Sequence, residues 1–155
     1  MIGGARPEFS LQKSALLLRV ELQRRIAEHH ISFQQWAVMR EIYAQEVKPD
    51  RNRKVTIAAI GARLYIDRPT MTGIVQRLIS DGWIELLPDA QGEGSQRMIL
   101  TAESLEKCTM WQEESAAVVG FPLSTFSNYE QQLMMELLQR MVYQMERGQI
   151  MQRGL

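Results

Sequence analysis

The sequence predicts a mainly helical α+β fold in which helices and one β-hairpin follow in the order α-α-α-α-β-β-α-α. Apolar residues recur every three or four positions over most of the chain, which is typical of amphipathic helices. Capping residues, prolines and glycines divide this pattern into separate segments. One polar stretch with two glycines lies between two short apolar segments, which is typical of a hairpin.

The composition excludes several classes of protein. The chain has 155 residues, 45% of them hydrophobic, and its 18 basic side chains balance 18 acidic ones. This is the length of one domain, and it argues against disorder and against a strongly basic tail. The single cysteine, Cys108, excludes an internal disulfide. No apolar run reaches the ~20 residues of a membrane span, and no secretory signal is visible. We therefore expect a cytoplasmic protein without membrane contact.

The first two helices are predicted from their apolar stripes. The first covers about Phe9 to Glu28, and its stripe is wider than one small core needs, so one side is expected to meet a partner subunit. The second begins at Ser32, where Gln35 completes a capping box. It ends before Pro49, because proline disfavours helix in the residue that precedes it.

A polar, basic loop over residues 48–54 separates these helices from two shorter ones. Thr56 caps the first of them, Ile57–Leu64, and Asp67 caps the second, which runs through residue 80. Gly82 is the expected stop of that helix. Strands are expected at Trp83–Leu87 and Arg97–Leu100, with residues 88–96 as a long, flexible tip. Two short helices followed by such a hairpin make a winged helix-turn-helix.

Two long helices are expected at the end of the chain. Thr101 begins one that reaches about residue 119, where the Gly-Phe-Pro sequence at 120–122 breaks it. Ser127 and Glu130 form a capping box for the last, which reaches about Arg147. Its wide apolar stripe favours a dimer seam over an intramolecular core.

Charge is distributed unevenly along the chain. Between Val47 and Ile79 there are seven basic residues and two acidic ones, whereas Ala102 to Arg147 contain three basic and seven acidic. A basic segment in a neutral chain indicates a local anionic partner, with an ordinary solvated surface as the alternative.

The fourth helix carries the candidate binding residues. Its buried period runs through Met71, Ile74 and Leu78, so the remaining side chains face outward. Arginine reaches guanine edges or phosphates, glutamine pairs with adenine, and threonine holds phosphate oxygens. An ordinary polar surface helix is the alternative. The position of this helix as the second of a helix-turn-helix, ahead of a wing, favours double-stranded DNA as its partner. The expected DNA-facing residues are Arg68, Pro69, Thr70, Thr72, Gly73, Gln76 and Arg77, with Arg51, Arg53, Lys54 and Arg97 supporting backbone contact.

The hairpin tip gives a weaker signal. A wing that enters a minor groove normally presents arginine or lysine. Here Asp89 and Glu93 accompany Arg97, and acidic side chains repel phosphate. This pattern motivates the alternative function, a winged-helix protein–protein adaptor that does not bind DNA.

These residues resemble the MarR-type bacterial transcription regulators, strongly from about Ser32 to Thr101 and by layout in the flanking helices. The matching motifs, in order, are Phe33–Met39, Asp67–Leu78, Asp81–Ile84 and Leu100–Thr101. The resemblance implies a homodimer on a pseudo-palindromic operator, a small-molecule or redox signal that loosens DNA, and repression more often than activation. It implies one domain over residues 1–155, with a DNA-binding lobe at 32–101 and dimerisation helices at 9–28 and 102–147.

The chain departs from the family pattern at three places. Gly94 occupies the place expected for a wing arginine, and Ser104 stands where members often have glycine. Redox-sensing members usually carry their cysteine in the first helix, where this chain has none.

Other chemistries have little support. The sequence has no glycine-rich phosphate loop, nucleophile elbow or catalytic carboxylate pair, so neither an enzyme nor a cofactor is expected. His29 and His30 are adjacent and do not share a helix face, which indicates a helix end rather than a metal site. Cys108 is expected to be a buried, inert thiol; a pKa lowered by Lys107 is the alternative.

Overall fold

Residues 6–90 and 94–153 are described by the computed structural model, and side chains as far as residue 148. They form α1 (Pro7–Ala27), α2 (Phe33–Val47), α3 (Ile57–Leu64), α4 (Arg68–Ser80), β1 (Ile84–Pro88), β2 (Gln96–Leu100), α5 (Ala102–Leu123) and α6 (Asn128–Arg153). The predicted mainly helical α+β class and the predicted element order are confirmed.

The helices begin at the capping residues that the sequence indicates. Ser32 Oγ accepts the Gln35 N–H at 3.1 Å, and Gln35 Oε1 accepts the Ser32 N–H at 2.8 Å, which is the predicted capping box. Thr56 and Asp67 cap α3 and α4 in the same way, each accepting the N–H three residues on. Ser127 begins α6 with a second capping box. These caps satisfy backbone donors that a helix start otherwise leaves unpaired.

The two last helices are longer than predicted. The expected break near residue 119 is wrong, because α5 continues to Leu123 with Pro122 inside its last turn. The Ser124 N–H still donates to the Gly120 carbonyl at 2.9 Å, so the proline removes a donor without opening the turn that follows it. α6 runs to Arg153 rather than Arg147, since most residues between them are good helix formers.

Strand β1 begins and ends one residue later than predicted, and β2 begins one residue earlier. β1 and β2 pair antiparallel, from Ile84 opposite Leu100 to Pro88 opposite Gln96. Trp83 is outside the strand because its N–H donates to the Leu78 carbonyl at 2.8 Å, which closes the end of α4. Gly82, with φ +77°, supplies the left-handed turn that this helix end requires.

Contacts divide the chain into two units, Met1–Ala116 and Ala117–Leu155. The core of the first unit surrounds Trp111, which packs edge-on against Trp36 at 5.6 Å between ring centroids and at a tilt against Trp83 at 5.5 Å. Further buried members include Ile26, Met39, Ile42, Ile60, Met71, Leu78, Ile84 and Met98. In the second unit, α6 exposes much of its apolar stripe. No helix in the described part of the chain is both long and apolar enough to cross a membrane.

Candidate nucleic-acid interface

The two faces of α4 divide as the periodicity predicts. Met71, Val75 and Leu78 are almost fully buried in the core, and Ile74 is buried with them. The opposite face carries the predicted set, of which Thr72 and Gly73 are half-buried and the others exposed; these others are Arg68, Pro69, Thr70, Gln76 and Arg77. The core side therefore fixes the helix and leaves its polar side towards solvent.

Close packing of α3 against α4 depends on Gly61. A Cβ at that position would lie 3.2 Å from the Ile66 carbonyl oxygen and 3.4 Å from Met71 Cγ. A Cβ contact of 3.2 Å is tighter than usual, so a side chain at this position would push against the turn between the two helices. Sequence analysis did not single out this residue, although a glycine within a short helix is a signal of close approach.

The first turn of α4 uses its threonine hydroxyls internally. Thr70 Oγ1 donates to Asp67 Oδ2 at 2.8 Å, and Thr72 Oγ1 donates to the Arg68 carbonyl at 2.9 Å. The hydrogen bonds from the Thr70 N–H and hydroxyl hold the pKa of the Asp67 carboxyl below its ordinary value. The predicted role of the threonines as phosphate donors therefore needs revision, because their protons are committed within the helix.

Gly73 lies at the centre of the outward face and beside a groove. Among the described residues, no atom lies within 4 Å of a Cβ built on Gly73. The adjacent groove, of about 310 Å³, lies between α4 and the start of α2 and includes Gln34 and Arg77 among its lining residues. Gln34 was not predicted, since nothing in the sequence indicates that the start of α2 borders this face.

The basic loop is tied to the fold by a buried carboxylate. Glu41 of α2 is 9% exposed, and its Oε2 accepts from Arg53 Nη2 at 2.8 Å and from Arg63 Nε at 2.7 Å. Burial raises the pKa of Glu41, but the two arginine hydrogen bonds outweigh burial and hold the pKa below its ordinary value. Arg63 also donates to the Lys54 carbonyl at 2.7 Å.

The ion pair with Glu41 gives Arg53 a structural role. The sequence predicts a flexible side chain that supports backbone contact, whereas the structure holds its guanidinium against Glu41. Arg53 therefore positions the loop. Arg51 and Lys54, from the same loop, remain exposed.

A short pairing brings the predicted wing arginine to this loop. Met98 N–H donates to the Val55 carbonyl at 2.9 Å, and Thr56 forms an isolated bridge with Arg97. Arg51, Lys54 and Arg97 consequently line one cavity of about 250 Å³, together with Asp50, Asp89 and other residues.

Asp89, one of the acidic residues of the wing, pairs with Ser95 across the base of the hairpin loop. Asp89 N–H donates to the Ser95 carbonyl at 2.9 Å, and Ser95 Oγ donates to Asp89 Oδ2 at 3.3 Å. Asp89 thus has a structural partner, and Glu93 lies outside the described residues.

Ser104, which follows the wing, is buried and hydrogen-bonded. Ser104 Oγ donates to the Trp83 carbonyl at 2.5 Å, and Thr101 Oγ1 donates to the Gly82 carbonyl at 2.9 Å. These bonds join the start of α5 to the segment that connects α4 to β1 of the wing.

The remaining candidates have structural roles. Cys108 is fully buried, and burial together with the negative charge of Glu46 raises the pKa of its thiol to about 12. His29 packs on Trp111 at 4.9 Å, and His30 has φ +59° just after α1, as expected for a helix end. Among the described residues no cluster of His, Cys, Asp and Glu has the makings of a metal site.

The α3–α4 pair with its tight turn and the hairpin that follows define a winged helix-turn-helix protein. The sequence model of the MarR family matches residues 30–93, which span α2, the helix-turn-helix and the first strand of the wing. No curated protein matches it by sequence.

Solved structures share the fold over most of the chain. The complex of Staphylococcus aureus MepR with DNA has a TM-score of 0.75 at 16% identity, over 90% of this chain and 96% of that one. The transcriptional regulator PA3341 has a TM-score of 0.76 at 21% identity, over 90% and 98%. NadR, solved with 4-hydroxyphenylacetate, has a TM-score of 0.71 at 20% identity, over 91% and 95%.

Proposed function

We propose that this chain is a DNA-binding transcription regulator that acts as a homodimer on a pseudo-palindromic operator. The observation that carries the proposal is the outward face of α4. It presents two exposed arginines and an exposed glutamine around an open glycine, on the second helix of a winged helix-turn-helix. A helix in this position enters the major groove of B-DNA, and these side chains carry the donors that read base edges there.

In this proposal different residues read and anchor the DNA. Arg68, Gln76 and Arg77 reach base edges or the adjoining phosphates, while Gly73 lets the helix come close to the groove floor. Lys54 and Arg97 neutralise phosphates from the loop and the wing, which fixes the register of the protein without adding sequence information.

Homodimerisation is supported by apolar surface on two helices, each considered in its own unit. In the first unit α1 exposes Leu16, Leu17 and Val20, each by more than half. In the second unit α6 exposes Leu137 and Met145 to a similar extent. Apolar faces of this kind are what an obligate interface covers, and such interfaces bury on the order of 2,000 Å² or more.

A small-molecule effector completes the proposal. The support is a cavity of about 910 Å³ in the first unit, between the end of α2, the basic loop and Gln112 of α5. Tyr43 and Val47 give it an apolar wall, and Arg40 and Arg51 give it a cationic edge. Repression is the proposed sign of regulation, and the cytoplasm, where the DNA lies, is the proposed location. We propose no enzymatic activity.

The comparisons give the alternative adaptor function no support. The sequence features behind it are the acidic wing tip and Gly94 at the place of a wing arginine. Of the two acids, the structure describes Asp89, which accepts a hydrogen bond from Ser95.

Selection of bound duplexes from a genome-fragment pool tests the proposal, followed by affinity measurements on the selected duplex at several salt concentrations. A linear fall of the logarithm of the binding constant with the logarithm of the salt concentration supports it. Light scattering on the same sample should give a dimer at micromolar concentration. Salt-independent or absent duplex binding would leave the adaptor function as the better explanation.

A further inference from the structure

Tyr65, at the turn between α3 and α4, has an unfavourable backbone conformation. It is the C-terminal cap of α3 and has φ +55° and ψ +36°, in the left-handed region. A Cβ makes this region costly, which is why glycine usually occupies it at the end of a helix. A tyrosine at this position therefore lowers stability relative to glycine.

Packing does not account for the tyrosine. Its side chain belongs to a residue that is 56% exposed. Within residues 6–90 and 94–153, its hydroxyl has no hydrogen-bond partner. Strain of this kind, for which the described residues offer no compensating contact, is characteristic of functional positions.

Its location relative to α4 indicates the function. Tyr65 lies two residues before Asp67, the N-cap of α4, and three before Arg68. In helix-turn-helix proteins the N-terminal end of this helix meets the base edges, so residues just ahead of it lie beside the phosphate strand. Tyrosine hydroxyls are among the groups that bond phosphate oxygens.

We propose that Tyr65 is a DNA-backbone contact of this protein, with its hydroxyl donating to a phosphate oxygen beside the first turn of α4. The proposal rests on the proposed function. The contact is neutral, so it adds affinity on any duplex sequence without displacing a counterion of its own.

Tyr65→Phe is the direct test, because it removes the hydroxyl and leaves the ring and the backbone unchanged. Affinity is measured on the selected duplex and on a scrambled one, at several salt concentrations. We expect binding to weaken about tenfold per half-site on both duplexes, the size of a lost hydrogen bond to a charged group. Tm and the slope of affinity against salt should stay as in the parent.

Tyr65→Gly and His30→Gly form a matched pair. His30 is the other described non-glycine residue with positive φ, it is exposed, and it lies outside α3, α4 and the wing. Both changes relieve the same backbone strain and should raise Tm by about 2–4 °C. Only Tyr65→Gly should weaken DNA binding.

The outcomes separate this contact from the proposed function. If both Tyr65 variants bind like the parent while Arg68→Ala is weakened, the contact is wrong and the function stands. If His30→Gly weakens binding as much as Tyr65→Gly, strain rather than contact explains the effect, and the contact is again wrong. If the parent shows no salt-dependent binding, the proposed function fails and the contact with it.

Discussion

Replacing Gly73 by alanine should make the protein more stable and a weaker DNA binder. Glycine within a helix is about 0.8–1 kcal/mol less favourable than alanine. Within the part of the chain that the structure describes, the added Cβ would meet no atom within 4 Å, so no clash offsets that gain. We therefore expect Gly73→Ala to raise the free energy of unfolding by about 1 kcal/mol, which for a chain of this length raises Tm by about 2–4 °C.

The same methyl group lies on the outward face of α4, which is proposed to enter the major groove of DNA. Adding a methyl to a close-packed interface costs about 1–3 kcal/mol, and the dimer carries it in both half-sites. Affinity measured by fluorescence anisotropy should fall at least tenfold on the selected duplex. Gly120→Ala in α5 is the matched control, because a Cβ there also meets no atom of residues 6–90 and 94–153 within 4 Å. Both variants should raise Tm, and Gly73→Ala should weaken DNA binding more than Gly120→Ala. A Gly73→Ala protein that is stabilised and binds DNA like the parent would refute the close approach of α4.

The remaining predictions concern the buried charge and the thiol. Glu41→Gln should lower the free energy of unfolding by about 1–3 kcal/mol at neutral pH, because Arg53 and Arg63 lose a charged acceptor. Since the folded pKa of Glu41 lies below its ordinary 4.5, the stability that its ionised carboxylate adds is lost as pH falls through that folded value. The free energies of unfolding of the two proteins, measured with denaturant, should therefore converge in acid. Equal destabilisation at every pH would contradict this. Cys108→Ala should leave DNA affinity unchanged before and after peroxide treatment, because a buried thiol with a pKa of about 12 is not a thiolate; loss of a peroxide response present in the parent would make Cys108 the sensor.

Local signals in the sequence were enough to predict the elements and the outward face of α4. Ser32, Thr56 and Asp67 each act within three residues, so their capping role is visible without the fold. The alternation of buried and exposed positions in α4 is equally local, since it follows from the helical period.

Features that depend on distant contacts were not visible in the same way. The role of Arg53 changed because its partner, Glu41, becomes a buried carboxylate only when α2, α3 and the loop assemble. The approach of Arg97 to the loop depends on one bridge between Thr56 and β2. The left-handed conformation of Tyr65 runs against residue preference, so the sequence predicts nothing unusual there.

The measurement that most directly tests the account compares sequence discrimination by Gln76→Ala and Arg68→Ala with that of Lys54→Ala. Each protein is titrated with the selected duplex and with a scrambled duplex over a range of salt concentrations. The account predicts that the two α4 variants lose about 1–3 kcal/mol on the selected duplex and much of their preference for it. Lys54→Ala should weaken both duplexes alike and flatten the salt slope by about one. Intact discrimination in both α4 variants would contradict the account, because α4 would then not read the DNA.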